Sequence, residues 1–119
     1  MRSGSIAALV VTGILMAAVT LATGFFAFMM WALALNGFMG QEDAINASMT
    51  TFIVLAVVTG AVSIFLSLCT VYYLSVRRNW NAAVSALLSI VVFALASGIL
   101  HTLCVIVSAI VAEQLRTNR

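Results

Sequence analysis

The chain has 119 residues, 65% of them hydrophobic and 7% charged, with a mean hydropathy of +1.25, a net charge of +2, and neither proline nor lysine. An ordinary soluble domain is about half apolar and about a quarter charged. The five arginines and three acids here cannot solvate a compact particle of this size, so most of its surface has to face lipid.

The charges fall into clusters: Arg2, then Glu42 and Asp43, then Arg77 and Arg78, then Glu113, Arg116 and Arg119. The stretches 3–40, 44–76 and 79–112 carry none, and each exceeds the roughly 20 apolar residues that a helix needs to cross the bilayer. Lipid satisfies no backbone polar group, and these runs are continuous rather than alternating, so helices are favoured over a barrel. The reading is an all-α integral membrane protein: one transmembrane domain over 1–119, with three long helices at 5–36, 47–76 and 81–114 in an antiparallel bundle.

The first apolar run extends from Ile6 to Leu35, longer than the about 7 to 15 residues of a secretory signal, which argues for a retained anchor. A long leader ending near Ala32-Leu33-Ala34, followed by two hydrophobic segments joined by a basic loop, would instead resemble the layout of a conjugative-pilus pilin precursor. The first loop, of about ten residues around Gly40, Gln41, Glu42 and Asp43, contains acids and no base. The second is a tight turn at Arg77 and Arg78. Positive charge is retained on the cytoplasmic side. Arg2, Arg77 and Arg78 therefore place the amino terminus inside, meeting anionic headgroups, and the carboxyl terminus outside. Phe25, Phe26, Phe28, Trp31 and Phe38 at one end, and Tyr72, Tyr73 and Trp80 at the other, read as interface belts.

Runs of this length measure about 45 to 50 Å, and tilt alone would have to reach about 50° to fit them into the hydrocarbon, beyond the usual range. An apolar end that projects marks a protein contact. Small residues recur at steps of three and four: Gly13, Ala17, Thr20, Gly24 and Ala27; Ala56, Gly60, Ser63, Ser67 and Thr70; Ala94, Gly98, His101 and Ser108. Such stripes let helices approach closely. Gly13, Ala17, Gly24, Ala56, Gly60, Ser63, Ser67 and Gly98 are the expected packing positions, within the bundle or between chains. Gly24 and Gly98 are also places where a helix could break.

His101, the only histidine, shares a face with Ser97, Gly98 and Cys104. An ionisable residue within a span defaults to a functional reading, and imidazole could ligate haem or a chlorophyll-type pigment. Counted from Asn81, however, it lies about 30 Å along, near the outer interface, where solvation is the plainer role. Cys69 and Cys104 lie at different depths, too far apart for a disulfide, and read as small apolar fillers. No triad, buried carboxylate, metal set, phosphate loop or basic patch occurs, so no enzyme, metal site, ion-coupled transporter or nucleic-acid binder is expected. Asn46-Ala47-Ser48 matches a glycosylation sequon, but arginine without lysine leans towards a bacterial, GC-rich coding sequence, and no glycan is expected.

The function expected is a non-catalytic subunit of a larger complex in the bacterial inner membrane, with other membrane subunits or itself as partners and no cofactor. The alternatives are a self-assembling holin-like pore, with Ser63, Ser67 and Thr70 as its water-lined face, and a haem or pigment protein using His101.

Overall fold

A computed structural model describes residues 2–36 and 42–117. It contains α1 (Ser3–Ala34), α2 (Glu42–Tyr72), which runs on into a π-helical turn (Tyr73–Arg77), and α3 (Ala82–Thr117). All three are long and apolar enough to cross a membrane, and they form an elongated antiparallel bundle of 59 × 18 × 15 Å. Ser5 bonds Ser75, Trp31 bonds Ser48, and Ser48 bonds Ser108. α2 therefore runs against both α1 and α3, as three crossings require.

The helices differ from their expected limits for local reasons. α2 begins at Glu42, five residues before the expected 47, with Glu42 and Asp43 in its first turn, where carboxylates favour the free N–H groups of a helix start. α1 spans Ser3–Ala34, each end two residues before the expected 5 and 36. Phe38, Gly40, Gln41 and Arg119 lie outside the described residues. α3 starts where Asn81 Oδ1 accepts from the backbone N–H groups of Ala83 (2.9 Å) and Val84 (3.4 Å), an N-cap. It extends to Thr117, past an Arg116–Glu113 ion pair at 2.7 Å. α1 and α3 pass unbroken through Gly24 and Gly98.

The buried positions are mostly small or polar. Along α2 they are Ala44, Ser48, Phe52, Gly60, Ser63, Ser67 and Val71; along α3 they include Ser85, Ser89, Ser97, His101, Cys104, Ser108 and Ala112. Steps of four predominate, a mean spacing above the 3.6 residues of a straight turn and of the sense that favours right-handed wrapping. Large apolar side chains point outward instead, from Ile6 to Leu33 on α1, Ile53 to Leu66 on α2 and Val84 to Leu115 on α3.

Four polar ties between oxygen or nitrogen atoms span the bundle at successive levels, besides a Thr59–Cys104 contact at 3.6 Å. At the arginine end, the Ser75 hydroxyl donates to Ser5 Oγ (3.1 Å), and Arg2 Nη2 donates to the carbonyls of Ser75 (2.7 Å) and Trp80 (3.2 Å). The Ser75 carbonyl lies in the π-helical turn that ends α2, where carbonyls lack partners within the helix, and the Trp80 carbonyl lies in the connection before α3. Next, Ser89 Oγ donates to the Ser67 carbonyl at 2.8 Å. Above it sits the Thr23, Ser97 and His101 cluster. At the acidic end, Trp31 Nε1 donates to Ser48 Oγ, which donates to the Ser108 carbonyl, each at 2.7 Å. Trp31 is therefore not the belt residue its position suggests: it is 5% exposed and stacks on Phe52 with ring centroids 6.1 Å apart.

The tightest glycine site among the described residues is Gly60 of α2, where a Cβ would stand 2.6 Å from Thr20 Cγ2 of α1. Thr20 is β-branched and stiff, so Gly60→Ala is expected to destabilise the bundle by about 1 to 3 kcal/mol. Thr20→Ser, which removes only that methyl, should restore most of the loss. Reversible unfolding in mixed micelles across the double-mutant cycle measures both, and additive effects would show that the contact is not the cause.

Candidate functional site

Apart from the Cys104 thiol, His101 is the one ionisable side chain inside the bundle among the described residues, and it is 2% exposed. Nineteen residues separate it from Ala82 and sixteen from Thr117, so it sits near the middle of α3, about 28 Å along the helix from Ala82. At this level it faces Gly24 of α1 and lies beside Gly60 of α2.

Nδ1 lies 2.7 Å from the Ser97 carbonyl oxygen. A carbonyl only accepts, so Nδ1 carries the proton. The Ser97 and Thr23 hydroxyl oxygens lie 3.2 and 3.4 Å from the same nitrogen and 3.3 Å from each other, and Thr23 Oγ1 is itself bonded to the Val19 carbonyl at 3.0 Å. One side of the ring is thus fully engaged. In the uncharged ring, Nε2 presents its lone pair, and it makes no hydrogen bond among the described residues. A Cβ added to Gly24 would stand 3.7 Å from Nε2, an ordinary contact distance, so glycine here leaves the nitrogen uncovered.

Two hollows meet at His101. A groove of about 410 Å³ opens sideways between α1 and α2, lined by Thr20, Leu21, Gly24, Ala56, Val57, Gly60, Ala61 and Ile64. A smaller one, about 210 Å³, opens between α1 and α3 beside Thr23, Phe26, Ala27, Met30, Gly98 and Thr102. The Thr20 hydroxyl at the larger groove is enclosed and has no hydrogen-bond partner. No group of three or more His, Cys, Asp or Glu is placed to hold a metal among the described residues.

Comparison with known protein families, with curated proteins and with solved structures gives no match. The site is therefore read from its own geometry.

The other expected positions separate clearly. Gly60, Ser63 and Ser67 are buried; Gly13, Ala17, Gly24 and Ala56 are half-buried. A Cβ on Gly13 would meet Leu68 at 3.7 Å, whereas one on Gly98 would meet nothing within 4 Å: Gly98 borders a hollow and brings no helices together. Ser63 and Ser67 face inward, and the Ser67 hydroxyl donates to the Ile64 carbonyl at 2.7 Å, so this stripe is not a water-lined face of the single bundle. Arg77 and Arg78 are exposed. Arg2 meets backbone carbonyls of its own chain. Cys69 is exposed, and Cys104 is buried with its sulfur 3.6 Å from Thr59 Oγ1. Sequence reasoning missed the Trp31–Ser48–Ser108 relay, because the pairing of a tryptophan with serines on two other helices leaves no local pattern.

With one histidine in the chain, its ring nitrogens give two assignable ¹⁵N signals. The imidazole is expected as the Nδ1–H tautomer, with Nε2 in the range of an unprotonated nitrogen. A spectrum of the Nε2–H tautomer would contradict the bond to Ser97.

Proposed function

We propose that the protein is a small non-catalytic subunit of a larger membrane complex, held against its partner by the outward faces of α1 and α3 near the acidic end. The supporting observation is a mismatch of coats. At the arginine end the outward apolar residues of the three helices begin level with one another, at Ile6, Tyr73 and Val84, beside the Ser5–Ser75 bond. At the other end they do not finish level. The first turns of α2 expose Glu42, Asp43, Asn46 and Thr50. Across the Trp31–Ser48–Ser108 relay, α1 exposes Met29, Met30 and Leu33, the last at 71%, and α3 exposes Ile106, Val107 and Ile110.

A planar bilayer cannot wet one side of a bundle and cover the other at a single height. Tilting the bundle would spoil the level match at the arginine end. A second protein surface against α1 and α3 removes the conflict, because contiguous exposed apolar area beyond the lipid is the mark of a contact, and helix faces of this kind pack by close van der Waals fit. The outward span from Ile6 to Leu33 covers about 40 Å, longer than the about 30 Å of hydrocarbon. In this reading the arginine end is cytoplasmic, in a bacterial inner membrane, and Arg77 and Arg78 meet anionic lipid.

A photo-activated cross-linker at Leu33 or Ile110 is expected to capture a second polypeptide in native membranes, whereas the same group at Phe65, mid-coat on α2, is expected to capture lipid. Capture of lipid alone at all three positions would defeat the proposal. Capture solely of further copies of this chain, in material that leaks dye from liposomes, would favour the holin-like pore. An absorbance spectrum of the same purified material tests the pigment reading through a Soret or chlorophyll-type band.

A further inference from the structure

The groove between α1 and α2 combines features that separately mean little. Its walls come together at two glycines, Gly24 and Gly60, and its rim is Leu21, Val57 and Ile64, apolar side chains on the outward face of the bundle. A stripe of small residues alone is packing. Here, however, the groove ends on a side chain that is 2% exposed and has one polar atom unused. Nδ1 of His101 is committed to the Ser97 carbonyl at 2.7 Å, and Nε2, on the Gly24 side of the ring, accepts from nothing among the described residues. An unpaired acceptor inside an apolar membrane bundle costs free energy that a donor would recover.

We propose that this groove is a binding site for an uncharged, membrane-dissolved molecule bearing a hydroxyl group, whose O–H donates to His101 Nε2 while its apolar body lies along the α1–α2 groove. The chemistry of the ligand follows from the walls. Every arginine and carboxylate of the described chain lies towards a helix end, so an ionic ligand would enter an uncompensated, low-dielectric place. The mouth opens sideways onto the lipid-facing surface, so the ligand arrives from the hydrocarbon. The ring offers an acceptor and no further N–H on that side, so the ligand supplies the donor. Gly24 is the gate: any side chain there would begin to cover the nitrogen. The role is binding alone, and no bond is made or broken.

The test uses the full chain, labelled with ¹⁵N in its single imidazole, in phosphatidylcholine nanodiscs. The probes are 4-octylphenol, 1-decanol and 4-octylanisole, the last being the phenol with its donor methylated. The hydroxyl compounds are expected to move the Nε2 resonance upfield saturably with Nδ1 unchanged, and the anisole to leave it in place. A response to one hydroxyl compound alone supports the site and identifies its body as ring or chain. Ala61→Phe, at an exposed position on the groove wall, is expected to abolish the shift while leaving the Nδ1 signal, and hence the fold around His101, intact. No shift with either hydroxyl compound, an equal shift with the anisole, or an undiminished shift in Ala61→Phe would overturn the proposal.

Discussion

The bundle depends on a constraint set by its solvent. In water, burying leucine and valine drives helices together; in lipid the surroundings are as apolar as those side chains, and that drive is absent. Association then rests on close backbone approach and on hydrogen bonds that lipid cannot offer. The distribution of residues follows. Most of the large aliphatic and aromatic side chains stand outside, and the interior holds mainly alanine, glycine, serine, threonine and one histidine, with a few larger residues such as Met16, Trp31, Phe52 and Val71. Each of the four polar ties joins a hydroxyl, indole or guanidinium to a different helix or to the loop beside it, and together they pin the bundle at its two ends and at two levels between. Individually such bonds in membranes contribute on the order of 1 kcal/mol; their spread along the 59 Å bundle fixes register.

The same constraint makes His101 conspicuous. Serine and threonine hydroxyls can fold back onto the carbonyl one turn earlier, as Thr23, Thr51, Thr70 and Thr102 do, and so satisfy themselves within one helix. Imidazole has two nitrogens on opposite edges of a rigid ring, and only Nδ1 reaches its own helix. The other has to be met across the bundle, where Gly24 supplies only space. A ring of this shape at this depth leaves one acceptor open whenever the neighbouring helix carries no donor, and the α1–α2 groove is the outcome.

The two ends of the molecule solve different problems. At the arginine end, α2 unwinds into a π-helical turn, Asn79 adopts a positive φ of 54°, and Arg2 caps the released carbonyls. A charge expected to serve topology alone therefore also closes the chain on itself. At the acidic end, the early start of α2 carries polar side chains down one face to Thr50, while α1 stays apolar to Leu33 and α3 to Ile110, turning polar only from Glu113. That asymmetry cannot arise from three helices of equal polarity and length. It comes from where the charges of a single loop fall in the helix that follows.

Composition and the spacing of charges were enough to determine the class, the number of spans, the antiparallel order and the approximate helix limits, because a bilayer admits few solutions for long uncharged runs. The three-four steps of small residues marked the inward stripe, and residues such as Gly60, Ser63 and Ser67 lie on it. Within that stripe, only the tertiary structure distinguished Gly60, pressed against Thr20, from Gly98, which faces open space, and only it moved Trp31 from the membrane interface into the bundle. It also decided the partner of His101 Nδ1 and which helix Nε2 faces. These depend on helix register and rotation, which are set by contacts between residues 17 to 78 positions apart; periodicity along one helix carries no information about which residue of another stands opposite.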